Sequence, residues 1–548
     1  MARLPRLPDP RPLWTGRSPQ FRRRALAVAA VLLVYALIRF VPIPGVPCGL
    51  SAVKDCPSGD EAIALVPADA YAYAHADVDP DSSQVEQARE LIALFPGFPA
   101  IAQGTLQAAG LDPSISVSDV QAWLGDDLAV AAVPAESGGP LPLALLATDD
   151  ADAAQRFVER TAEGTPDSGE YHGVELTRYS PQLASALRDE FLLLGDPAAV
   201  RAAIDAGGDG GSLEDDEAAE DVRDALPDER LADAYVSQEG ISRLLAGRGG
   251  LAAQLDTFAD YNASTGIGAA LVVADDGLEL RLHSALDPEQ VAATPGFFTA
   301  FPAFDPSLAE DLAPGTLALL AIGDPSKTIR ALLDQADAAL PGVANAFDRF
   351  NAALVRQGAV DVERGLIPLL EGEAVAAVAP ARRVPYVTMV FDEVDEDRVG
   401  EAVARLQVPL IASLDPSRTG VAPTFSEEEI EGVTVRSLRI APAINLTYAV
   451  SDGKLVVSSD PKGVRQALSG QKSLAGTESY QTATAGGSDG VAALVFLNLE
   501  GLVQLAEPIG LAEITTGFRA DVERLKALGL SVRNGDNSLE TKIFLEIR

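Results

Sequence analysis

F-L-L-L-G-D-P-A-A-V-R-A-A-I (191–204) and L-V-V-S-S-D-P-K-G-V-R-Q-A-L (455–468) follow one pattern. An apolar run of strand length meets an Asp-Pro pair, and apolar residues at helical spacing follow. Asp196 and Asp460 read as helix caps, because a carboxylate there accepts from first-turn amides that have no partner of their own. Proline at the next position costs no hydrogen bond.

Working outward, the neighbouring segments repeat in the same order. The alternating strand Y-H-G-V-E-L-T-R-Y (171–179) parallels E-G-V-T-V-R-S-L (431–438). Further upstream, V-P-A-D-A-Y-A-Y-A-H-A-D (66–77) parallels L-A-P-G-T-L-A-L-L-A-I-G-D (312–324). Period two puts Tyr71, Tyr73 and His75 on one strand face. Helical spacing follows at 85–95 and at 326–340, where Ser326 is a candidate cap. L-G-D-D-L-A-V-A-A-V (124–133) matches L-E-G-E-A-V-A-A-V-A (370–379), and helices are expected over 151–161 and 395–407. Each pass ends in a hairpin pattern, with Asp276-Gly277 and Asn534-Gly535 near the reversals.

The order predicts an α+β protein with two duplicated lobes, each a mainly antiparallel sheet with packed helices. The expected boundaries are 62–290 for the first lobe, 291–307 for a linker and 308–548 for the second lobe. Residues 205–221, acidic and Gly-rich, and 469–490, rich in Gly, Ser and Thr, read as flexible loops.

The N-terminus carries a different signal. Arg3, Arg6, Arg11, Arg17, Arg22, Arg23 and Arg24 precede an uncharged apolar run at 25–38. This order predicts a basic cytoplasmic tail (1–24), a transmembrane helix (25–46) and a juxtamembrane linker (47–61), with the rest exported. A cleaved signal peptide is the rival reading. Cys48 and Cys56 are the only cysteines. In an oxidising compartment they are candidates for a disulfide that stiffens the stalk; two free thiols are the alternative.

Lys and Arg number 42 against 80 Asp and Glu, a formal net charge of -38. Nucleic-acid binding needs clustered cations, so this balance speaks against it. Neither a nucleophile elbow nor a phosphate-binding glycine loop occurs. The three histidines, His75, His172 and His283, fall in expected strands of the first lobe, where exposed or half-buried positions are the ordinary explanation. No cofactor is indicated beyond weak or single-site structural calcium binding by the acid load.

The V-P-A-D-A-Y-A-Y opening, P-G-F-P at 96–99, and the paired F-L-L-L-G-D-P and L-V-V-S-S-D-P segments resemble the bacterial family known as domain of unknown function 3352. The resemblance implies an exported, single-span or signal-bearing protein over most of 60–548, and it supplies no catalytic or binding residues. The expected function is a membrane-anchored extracytoplasmic binding or scaffold protein. The alternatives are a carrier of a lipid or other apolar ligand, and an envelope hydrolase using carboxylates. The expected partners are the cytoplasmic membrane and an envelope protein or apolar ligand.

Overall fold

The computed structural model describes residues 60–97, 123–136, 139–162, 164–245, 263–293, 299–339, 341–358, 360–381, 384–413, 424–441, 444–470, 472–487, 489–506 and 519–547. The expected tail, transmembrane helix and Cys48–Cys56 pair lie outside these residues. Among the described residues no helix is long and apolar enough to cross a membrane.

The architecture is mixed α+β, with antiparallel strands and packed helices, in two compact units. Of the described residues, unit one takes those within Met1–Ala253 and Thr265–Val273, and unit two those within Gln254–Ser264 and Ala274–Arg548. The strands of unit one are β1 (Ala72–Asp77), β2 (Leu124–Pro134), β3 (Pro140–Thr148), β4 (Asp167–Tyr171), β5 (Val174–Ser180), β6 (Leu183–Arg188), β7 (Phe191–Gly195), β8 (Ala232–Ser237) and β9 (Ser264–Ala274). They pair in the order β4-β5-β6-β7-β3-β2-β1-β8-β9.

Unit two holds β10 (Gly277–Leu286), β11 (Ala318–Gly323), β12 (Glu373–Ala379), β13 (Tyr386–Phe391), β14 (Thr424–Ile430), β15 (Val433–Ala441), β16 (Ile444–Ser451), β17 (Lys454–Ser458), β18 (Ala493–Asn498), β19 (Leu525–Asn534) and β20 (Ser538–Ile547). Their order is β14-β15-β16-β17-β13-β12-β11-β18-β19-β20-β10.

Local chemistry accounts for the joints. α1 (Ser83–Ala93) follows β1, and α2 (Ala151–Thr161) is capped by Asp150, which accepts from Ala153 N. Asp196 accepts from Ala198 N at the start of α3 (Pro197–Asp205). In unit two the helix after β11 begins at Pro325, and Asp324, rather than the expected Ser326, accepts from Lys327 N at 3.1 Å. Ser326 instead donates its hydroxyl proton to Asp324, because the Asp-Pro pair sets the helix start two residues earlier. His172-Gly173 and Glu431-Gly432 have positive φ at both positions, the backbone of a two-residue hairpin loop. His172 is therefore a turn residue, not the strand residue expected.

Both expected loops contain helical turns and buried anchors. Within 205–221, Leu213 is buried and Asp216 caps α4 (Glu217–Asp224), whose Ala219 and Val222 face the core. Within 469–490, Leu474, Tyr480 and Ala483 are buried. A few apolar anchors outweigh a loop-like composition there.

In unit two, Leu319, Ala321, Val375, Val390, Leu494 and Phe496 form one apolar core with Val464 and Tyr480. Val464 belongs to the helix Pro461–Ser469, where Asp460 accepts from Lys462 N. A second cluster, Leu370, Val394, Val399 and Leu455, packs with Phe391 and Val457.

Candidate functional site

Unit one buries charge in the middle of its sheet. Tyr73 and His75 point from β1 to the buried side, as their period-two spacing requires. Register sets His75 directly opposite Asp233 of β8, and opposite Ala129 of β2, two residues from Asp127. Direct and diagonal cross-strand neighbours are within side-chain reach. His75 Nδ1 lies 3.2 Å from Asp233 Oδ1, and Nε2 lies 3.3 Å from Asp127 Oδ1. The other Asp127 oxygen accepts from Glu61 N at 2.9 Å and Ala62 N at 3.1 Å, satisfying the start of a 3₁₀ turn over Ala62–Leu65.

Two guanidiniums close the cluster. Arg223, in the last turn of α4, reaches Asp60 and places Nε 3.4 Å from Asp233 Oδ2. Arg230 Nε donates to Asp233 Oδ1 at 3.0 Å, and the Tyr73 hydroxyl donates to Asp60. The Asp233 side chain is 0% exposed and that of His75 6%. With His75 protonated, the carboxylates of Asp60, Asp127 and Asp233 balance Arg223, Arg230 and the imidazolium. Burial alone would push His75 down, but hydrogen bonds to Asp127 and Asp233 and the field of Asp60 raise it to about 10. Burial likewise opposes ionisation of Asp233, and the bond from His75 with the field of Arg230 lowers it to about 2. Asp60 is raised because burial outweighs its partners His75 and Arg223.

Asp60, His75 and Asp233 each present a ligand atom within 4.8 Å of the others, so the group could hold a metal ion. The donor set carries no mark of a particular ion. Calcium takes six to eight oxygens, whereas here an imidazole and two guanidiniums lie among the carboxylates. A metal would have to displace a proton from His75 and compete with Arg223 for both acids.

The other expected residues lie elsewhere. Of the three histidines, His75 alone is in a metal-capable group among the described residues. His172 pairs with Asp205 at 2.9 Å on an exposed turn. His283 sits in β10, with its pKa lowered by burial. Asp196 and Asp460 engage first-turn amides, and among the described residues no metal-capable group contains them. Sequence reasoning missed Asp60, Asp127, Asp233, Arg223 and Arg230. The available signal was an acidic residue in the inward phase of a strand: Asp233 alternates with the buried Tyr235.

Unit two carries a second feature, on the side of its sheet away from Leu319 and Ala321. Register aligns Met389, Ala376, Leu320, Val495, Leu530, Ile543 and Leu280 across β13, β12, β11, β18, β19, β20 and β10. None of them is buried. A second row, two residues along, runs from Val387 through Leu497 to Leu278 and is also wholly apolar and unburied. Leu320 is 45% exposed, Val387 43% and Met389 37%.

The family model described as "Protein of unknown function (DUF3352)" matches residues 25–546, and the chain belongs to that family. No curated protein matches. Among solved structures, "Structure of crystal form IV of TP0453" is 12% identical, with a TM-score of 0.25, over 43% of this chain and 85% of that one. "Structure of crystal form I of TP0453" is 10% identical, with a TM-score of 0.23, over 42% and 80%. Likeness at this level carries no argument about fold or function.

Proposed function

We propose that this is a membrane-anchored, extracytoplasmic binding protein whose binding surface is the apolar strip left unburied beside the helix-packed residues Phe391, Val457 and Ala493 on the same side of the sheet of unit two. The observation that carries the reading is the pair of apolar rows, in which no residue is buried and the large side chains of Leu320, Val387 and Met389 are 45%, 43% and 37% exposed. The cluster around His75 supports it by contrast. Its charges are matched internally and its central groups are closed to solvent, which suits a structural core better than a reaction centre. A carboxylate hydrolase gains little from acids already bound by guanidinium and imidazole. An apolar ligand is the second reading, favoured by the same rows.

The anchor belongs to this proposal: arginines of 1–24 on the cytoplasmic side, a helix over 25–46, and a stalk closed by Cys48 and Cys56. So does duplication. Its support is the pairing order, in which β4-β5-β6-β7-β3-β2-β1-β8-β9 and β14-β15-β16-β17-β13-β12-β11-β18-β19 correspond strand for strand.

The test is binding of a neutral apolar dye, Nile red, to the full chain and to its Leu320→Asp/Met389→Asp variant. The expected result is about a tenfold loss of affinity, on the order of 1.4 kcal/mol. Equal binding by both proteins would remove the face from the proposal. Labelling Cys48 and Cys56 from outside intact cells, with and without reductant, tests the anchor; thiols reachable only after lysis would contradict it.

A further inference from the structure

Resting on the binding surface just proposed, we infer that its occupant is the hydrocarbon chain of a zwitterionic phospholipid lying along the apolar rows. Size is the first argument. Seven paired strands span six interstrand steps of about 4.8 Å, so each row is about 29 Å long, and the two rows are about 7 Å apart. That is on the order of 200 Å², far below the roughly 800 Å² per partner that a stable protein interface uses. A second copy of this chain or a folded partner would be held too weakly by this face alone. A lipid chain is the smaller occupant that such a strip can hold: one leaflet contributes about 15 Å of the ~30 Å hydrocarbon core, so one chain covers about half of a row.

Shape is the second argument. The rows run across the strands and are apolar at every register position, which matches a linear apolar ligand. A peptide added to this face would bring backbone amides and carbonyls with no partner.

Charge selects the lipid. The chain carries a formal net charge of -38, which repels a fatty-acid anion and an anionic headgroup alike. A zwitterionic head such as phosphoethanolamine carries no net charge and escapes that repulsion.

The experiment reconstitutes the full chain in vesicles of phosphatidylethanolamine and phosphatidylglycerol. Phosphatidylethanolamine with a photoactivatable acyl chain is then crosslinked and the adducts are mapped by mass spectrometry. Adducts are expected on the peptides bearing Leu320, Met389 and Leu530. They should fall about tenfold in Leu320→Asp/Met389→Asp, as 1.4 kcal/mol of lost affinity implies, while adducts within 25–46 are unchanged. Met389→Gln alone, at an exposed strand position, gives a smaller loss in the same direction and guards against misfolding of the double variant. Adducts confined to 25–46 would overturn the inference. If Nile red binding still responds to the double variant, the binding surface survives that failure. Equal or stronger labelling by a photoactivatable free fatty acid would overturn the phospholipid as source. Crosslinks from position 320 to a second copy of the chain would overturn the lipid altogether.

Discussion

Unit one and unit two solve the same local problem with the same kind of group, and then part company. In each, a carboxylate on one strand holds the start of a 3₁₀ turn. Asp127 of β2 accepts from Glu61 N and Ala62 N. Glu373 of β12 accepts from Ser307 N at 2.7 Å and Leu308 N at 3.1 Å, and also from the Ser307 hydroxyl. Asp392 accepts from the Glu373 amide, but the positions that match the buried His75 and Asp233 are apolar. Pairing places Ala321 and Leu494 of unit two where unit one has His75 and Asp233. The capping carboxylate is thus the architectural requirement, and the histidine, second acid and guanidiniums are an addition specific to unit one. The unburied apolar rows lie in unit two.

The comparison breaks first at Asp233. Asp233→Leu copies Leu494 but leaves Arg223, Arg230 and protonated His75 short of a buried counter-charge. Removing one member of a buried ionic group costs about 3–5 kcal/mol, and urea unfolding should show a loss of that size. Adding His75→Ala, which copies Ala321, removes the stranded imidazolium. The double variant should recover part of the loss, a coupling on the order of 1 kcal/mol in a double-mutant cycle. Strict additivity would mean that the two side chains do not act together.

Proton linkage gives the next effect. His75 is raised from 6.5 to about 10 in the folded chain, so its contribution is complete below pH 6.5 and is lost as pH rises through about 10. The slope is at most about 1.4 kcal/mol per pH unit. Asp233 is lowered from 3.8 to about 2, so its contribution is present above pH 3.8 and is lost as pH falls toward 2. Urea unfolding across pH should show both limbs, and His75→Ala should flatten the alkaline one. An unchanged alkaline limb in that variant would assign it to other groups.

A smaller effect tests the shared part. Glu373→Gln keeps an acceptor but removes its charge from the Ser307 and Leu308 amides, at a cost of about 1 kcal/mol. A neutral result would mean that the carboxylate charge is dispensable in unit two.

The sequence disclosed what depends on neighbours along the chain. Strand periods, the Asp-Pro caps at 196 and 460, and the α2 span at 151–161 rest on local chemistry, and they lie where that chemistry places them. Composition misled at 205–221 and 469–490, because single anchors such as Leu213 and Leu474 do not register against many polar neighbours. The cluster was hidden for another reason. Asp233 is 158 residues from His75, and only sheet register brings the two together. The apolar rows were visible as strands such as L-A-L-L-A-I, but alternation does not say which face another element covers.

Selective ¹⁵N labelling of the three histidines and a titration followed by NMR bears most directly on the claim that the centre of unit one is filled by its own charges. The account predicts that His75 remains an imidazolium, protonated on both Nδ1 and Nε2, through neutral pH and up to about 10, with no response to added zinc. A neutral His75 ring at pH 7 whose nitrogen signal shifts on zinc addition would contradict it and make the cluster a metal centre.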